Sequence, residues 1–209
     1  MLFRSARLAR EDHARGSAAL DHVLKVEADI VKASGRLAAG PVPVETYPEG
    51  ELGNALRVAI RLLQGGARVA AIKVSLNGFD THQNQPVVHA NLLRQFAEAV
   101  AAFRLSLMRL GLWETTLLMT YAEFGRRAAE NGSLGTDHGT ASVHFATGGR
   151  VRGGLYGEAP RLDMLADGNP GHGIDFRRLY ASALETWWGL DAAAVLGGRF
   201  APVDFIKSV

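Results

Sequence analysis

Three short clusters carry residue types and spacings suited to a divalent metal ion. Asp80 and His82 lie in Asn77-Gly78-Phe79-Asp80-Thr81-His82. Glu123 opens Glu123-Phe124-Gly125-Arg126-Arg127, and Asp137 and His138 sit in Gly135-Thr136-Asp137-His138-Gly139. In an extended segment, residues i and i+2 point to the same side, so Asp80 and His82 can meet one ion. Asp137 and His138 are adjacent and face different directions. They can serve two ions, or one can stand behind the ligands. A mixed set of carboxylates and imidazoles suits zinc, manganese or iron rather than calcium. Each cluster alone has a plainer reading. An Asp after a buried strand is often a turn residue or a cap. Glu123 beside Arg126 and Arg127 is more often an ion pair than a ligand. Asp137-His138 between glycines can be a solvated turn. The coincidence of the three clusters is what points to a metal.

Helices and strands must bring these clusters together. Apolar periodicity predicts a first helix over about Ser17–Ser34, ended by Ala39-Gly-Pro-Val-Pro43, and a second near Gly50–Gln64. Arg68–Leu76 is short and apolar and reads as a buried strand. A long helix follows over about Val87–Leu110, with Val88, Leu92, Phe96, Ala99, Phe103, Leu107 and Leu110 on one face and Gly111 as its stop. Thr115–Tyr121 reads as a second buried strand. Strands joined by a crossover helix run parallel, so 50–121 predicts an α/β layered fold. Ligands of open α/β sheets sit beyond the carboxyl ends of the strands. Asp80, His82 and Glu123 fall at that edge, and Asp137 and His138 fall in the glycine-rich stretch that follows. Short strands are expected at Ala141–Ala146 and Gly153–Tyr156. A last helix is expected from Asp175, its N-cap, to Trp188, burying Phe176, Leu179, Tyr180, Ala183, Leu184 and Trp187.

Composition excludes several function classes. The 209 residues are 47% hydrophobic and 21% charged, as in ordinary globular domains. No apolar run reaches the roughly 18 residues of a membrane span. The net charge is +2, which disfavours a nucleic-acid partner. The acid-poor start, with Arg4, Arg7 and Arg10, lacks the apolar core of a signal peptide. Cysteine is absent, so thiolate catalysis, disulfides and Cys-based metal sites are excluded. Gly-x-Ser-x-Gly is also absent, and neither Gly148-Gly149 nor Gly153-Gly154 precedes a helix as a phosphate loop would.

GFDTHQNQ at 78–85, TYAEFGRRAAENGSLGTDHGTAS at 120–142, GGLYGEAPRL at 153–162 and DFRRLYASALETWWG at 175–189 resemble the bacterial family called domain of unknown function 1501. The resemblance covers about residues 45–205. It implies a three-layer, alkaline-phosphatase-like α/β fold with a mostly parallel central sheet. It also implies that the chain is the C-terminal part of that fold. On that reading, 1–44 is a helix and linker, and 45–209 is the C-terminal part of the domain. Members of the alkaline phosphatase and sulfatase superfamily hold divalent metals at the carboxyl edge of the sheet. By resemblance, Asp80, His82 and His138 are ligands of a first metal, and Glu123 and Asp137 belong to a second site or stand behind the first. Phe124 stands where a His is common, a departure from the pattern. Arg126 is expected to pair with a substrate anion.

The implied activity is hydrolysis of a phosphate or sulfate ester on a small molecule or glycan, with zinc foremost among the metals and manganese or iron as alternatives. Many full-length relatives begin with a twin-arginine export signal, which this chain does not show. Nothing in residues 1–49 matches the superfamily segment that supplies a Ser or Thr nucleophile. The chain is therefore expected to be incomplete as an enzyme, and to pair with itself or with a missing N-terminal half. The alternative is a non-catalytic binding or scaffold module that keeps the metal edge.

Overall fold

The structure, a computed structural model, describes residues 41–207 together with Lys25. The expected helix over Ser17–Ser34 lies outside the described residues apart from Lys25, and Arg4, Arg7 and Arg10 lie outside them. The chain divides between Ser75 and Leu76 into two compact units.

In the first unit, helix α1 runs Glu51–Gln64. Its spacing of apolar residues every three to four positions puts Leu52, Leu56, Ala59 and Ile60 on one buried stripe. The chain leaves the helix through Gly65 and Gly66, the latter at φ 73°, a conformation that costs glycine nothing. Arg68–Leu76 does not form the expected buried strand. It joins no ladder among the described residues, and Val69 and Ile72 are exposed.

The second unit opens with residues 76–84, which carry Asp80 and His82, and continues into helix α2, Gln85–Arg109. Pro86 sits in the first turn, where a missing N–H costs nothing. Leu92, Ala99, Phe103 and Leu107 are buried as the period requires, with Ala102 and Ser106 beside them. Val88, expected on the same face, is exposed. A left-handed Gly111 at φ 69° follows the helix end.

The sheets are small and antiparallel. Strand β1, Leu117–Met119, pairs with β4, Ala146–Gly148, through Leu118 opposite Thr147. Strand β2, Gly125–Glu130, pairs with β3, Thr136–Gly139, through Arg126 opposite His138, with an irregularity before Glu130. The fold is thus mixed α and β, but the mostly parallel central sheet of a three-layer fold is absent from the described residues. The parallel inference required the two apolar runs to share one sheet. Instead, the second run takes its partner from downstream, and a chain returning beside β1 pairs antiparallel. Residues 141–145 form no strand; the strand expected at 141–146 is replaced by Ala146–Gly148, which shares only Ala146 with it. Gly153–Tyr156 forms no strand, and Gly154 at φ 144° breaks the pleat there.

Helix α3, Phe176–Ala181, begins at Asp175, whose carboxylate accepts the Arg177 N–H as an N-cap. It continues as a π-helical turn, Ser182–Trp187. Phe176 is exposed, and the most buried positions are Ala181 and Ser182. The Ser182 hydroxyl donates to Arg178 O at 2.8 Å and accepts from Val203 N at 2.8 Å. That tie anchors Val203, Phe205 and Ile206, a buried cluster packed by Leu117, Met119, Val151, Leu179 and Trp187. A short helix α4, Ala192–Leu196, capped by Asp191, lies between.

Candidate metal centre

The β2–β3 hairpin folds its turn onto the segment that carries Asp80 and His82. Asn84 N donates to Ser133 O at 3.1 Å and Gln85 N donates to Leu134 O at 2.8 Å. These bonds satisfy N–H groups that a helix start otherwise leaves without partners. Asn131 completes the link. Its Oδ1 accepts from Ser133 N at 2.9 Å and Gly135 N at 3.1 Å, and its Nδ2 donates to His82 O at 3.0 Å. Gly135 has to be glycine for a steric reason, because a Cβ there would lie 2.2 Å from the His82 carbonyl carbon.

Folding the hairpin this way brings three side chains to a point. His138 Nε2 lies 2.7 Å from Asp80 Oδ1, His82 Nε2 lies 3.0 Å from the same oxygen, and the two Nε2 atoms are 3.1 Å apart. One donor atom from each residue lies within 4.8 Å of the others. The i, i+2 spacing of Asp80 and His82 therefore works as expected. All three are open to solvent, with side-chain exposures of 60% for Asp80 and 47% for each histidine. Asp80 is held below the usual carboxylate range, chiefly by its hydrogen bond to His138, with the His82, His138 and Arg126 charges adding to it.

The remaining expected residues take other places. Asp137 Oδ1 lies 3.5 Å from His82 Nδ1, on the far side of that ring from Asp80. This is where an orienting carboxylate stands behind a ligand histidine. Glu123 is exposed, does not join the donor group, and makes no ion pair with Arg126 or Arg127 among the described residues. Arg126 is turned inward. It donates to Thr136 O and Phe79 O at 2.5 Å each and lies 3.3 Å from Asp80 Oδ1. His89 packs edge-on against Phe79 at 5.8 Å.

Two contributors escaped the sequence reading. Phe124 stacks flat on His138, with ring centroids 3.7 Å apart and planes 11° from parallel, and the Arg126 guanidinium lies 4.9 Å from the Phe124 ring centre. Asn131 precedes Gly132, and Asn-Gly is a strong turn signal. That dipeptide alone could have singled it out.

A family model matches residues 6–198. The chain belongs to the family described as Protein of unknown function (DUF1501). The match takes in residues 6–44 of this DUF1501 chain, which carry none of the distinctive motifs. No curated protein and no solved structure matches the chain.

Can the donors fit a metal? Tetrahedral zinc with bonds of about 2.1 Å sets its ligand atoms roughly 3.4 Å apart. The present separations of 2.7, 3.0 and 3.1 Å would need to open by roughly 0.3 to 0.7 Å to reach that tetrahedral spacing. Two imidazoles and one carboxylate match the usual donor chemistry of zinc, manganese and iron. The fit is good.

Proposed function

We propose that this chain binds one divalent metal, zinc foremost, through Asp80, His82 and His138, and that the site belongs to a hydrolase-type domain for phosphate or sulfate esters. The supporting observation is the convergence of three metal-type donors from segments more than 50 residues apart in sequence, within 4.8 Å of one another. Three protein ligands on an exposed edge leave coordination positions open, the arrangement of catalytic rather than closed structural sites. A metal bound there supplies Lewis-acid stabilisation of charge on an ester oxygen. The chain's own residues hold and orient it: Asp80 and the two histidines as ligands, Asp137 behind His82. The membership of the wider alkaline phosphatase and sulfatase superfamily belongs to this proposal, as does the ester substrate; a second metal at Glu123 does not, because Glu123 does not join the donor group.

A second reading, a metal-holding module without catalysis, is favoured by the inward direction of Arg126. Its donors go to backbone carbonyls and Asp80 rather than toward a bound anion. One experiment separates the two. Metal-stripped protein is reconstituted with zinc, manganese or iron(II) and assayed on aryl phosphates and aryl sulfates. Metal-dependent turnover lost in His138→Ala supports the hydrolase. Metal uptake without turnover supports the module. Absence of saturable uptake removes both.

A further inference from the structure

We infer that Arg126 is a positioning residue that sets the spacing of the ligand-bearing segments, rather than a contact for the substrate anion; this rests on the metal-site reading above. Its two terminal nitrogens grip two backbone carbonyls, those of Phe79 and Thr136. Phe79 immediately precedes Asp80. Thr136 stands two residues before His138. One planar fork therefore ties the two stretches of chain that deliver the ligands, just upstream of each. A lysine, with its ammonium a single point of charge, cannot span both carbonyls in a fixed plane.

The same guanidinium lies 3.3 Å from Asp80 Oδ1, the oxygen that both histidines approach. It thereby fixes the direction of the carboxylate. It also sits over Phe124, which stacks on the His138 ring. Arginine, phenylalanine and histidine so form a stacked column that sets the plane of the His138 imidazole. Cross-strand pairing of Arg126 with His138 on β2 and β3 puts both side chains on one face of the hairpin. The Arg126 side chain is only 20% exposed, unlike the open triad, as suits a strut more than a substrate contact.

The test uses the full chain with 15N-labelled histidine, read by NMR before and after zinc addition. In metal-free wild type, the His138 ring protons should be shifted upfield by the Phe124 ring current. Phe124→Leu gives the unstacked reference. Arg126→Gln, shown folded by its circular dichroism, should move the His138 signals more than halfway to that reference and lower zinc affinity about 10- to 100-fold. Arg126→Lys should fall between, and millimolar guanidinium should restore part of the affinity of Arg126→Ala. A general loss of stability would not respond to added guanidinium. Wild-type His138 signals together with wild-type zinc affinity in Arg126→Gln would overturn the inference. If that variant does not fold, Arg126→Lys decides, and behaviour identical to wild type overturns it. If wild type takes up no zinc, the metal reading fails on its own, while the metal-free histidine signals still decide the role of Arg126.

Discussion

Asp137 and Glu123 are both acidic neighbours of the triad, and their contacts separate their roles. Asp137 faces His82 Nδ1, leaving the Nε2 of that ring for the metal. Such a partner fixes the tautomer and orientation of a ligand histidine, and its loss typically costs about 10- to 100-fold in metal affinity. Asp137→Ala should weaken zinc binding by that factor in competition with a chelating dye, while circular dichroism stays unchanged. Glu123 is exposed, stands outside the donor group and makes no ion pair with Arg126 or Arg127 among the described residues. Glu123→Gln should leave zinc stoichiometry unchanged and shift unfolding free energy by less than about 0.5 kcal/mol, as surface changes do. A halved stoichiometry would instead place a metal at Glu123.

At the scale of elements, the β2–β3 hairpin builds the site, and its tight approach to residues 81–85 is what a side chain at 135 would disturb. The Cβ of Gly135→Ala would meet backbone, which cannot rotate aside as a side-chain tip can. That variant should therefore lose about tenfold or more in zinc affinity, comparable to loss of an orienting partner. Retained affinity would show that the hairpin can slide without moving His82.

Helix α3 offers a second check. Asp175 caps it and pairs with Arg177, and its carboxyl is lowered from 3.8 to about 2, first by the Arg177 side-chain hydrogen bond and then by the Arg177 backbone N–H. A group depressed on folding adds stability above its unfolded pKa and loses it as pH falls through the folded value. The melting temperature of Asp175→Ala should lie below wild type at pH 7. The gap should close between about pH 4 and pH 2. A gap that persists below pH 2 would reject the charged cap.

The helices α1, α2 and α3 and the Asp175 cap were legible in the sequence because 3.6-residue periodicity and an Asp before a helix are local signals. The meeting of Asp80 with His82 was legible for the same reason. Strand partners were not. An apolar run specifies a strand but not which chain lies beside it, so Thr115–Tyr121 was recognised while its antiparallel partner at 146–148 was not. Arg68–Leu76 has the composition of a buried strand and no ladder. The Val203–Ile206 cluster is too short for any period to reveal. The Asn131-Gly132 turn had a local signal, but the bond from Asn131 to His82 O, the stacking of Phe124 and the inward turn of Arg126 depend on contacts across 10 to 49 residues, which no local pattern encodes.

For the molecule as a whole, chemistry outside the triad gives little competing direction. Net charge is close to neutral, no described helix is long and apolar enough to cross a membrane, and the described residues offer this one group of metal-type donors. A ligand that binds only the folded chain also stabilises it by mass action, so metal binding and folding should be linked here.

The central claim is that Asp80, His82 and His138 form one metal site, and calorimetric titration of metal-stripped chain with zinc tests it most directly. One saturable site per chain is predicted, abolished or severely weakened in each of Asp80→Ala, His82→Ala and His138→Ala, and accompanied by a rise in the wild-type melting temperature. No saturable binding, or binding that survives all three substitutions, would contradict it.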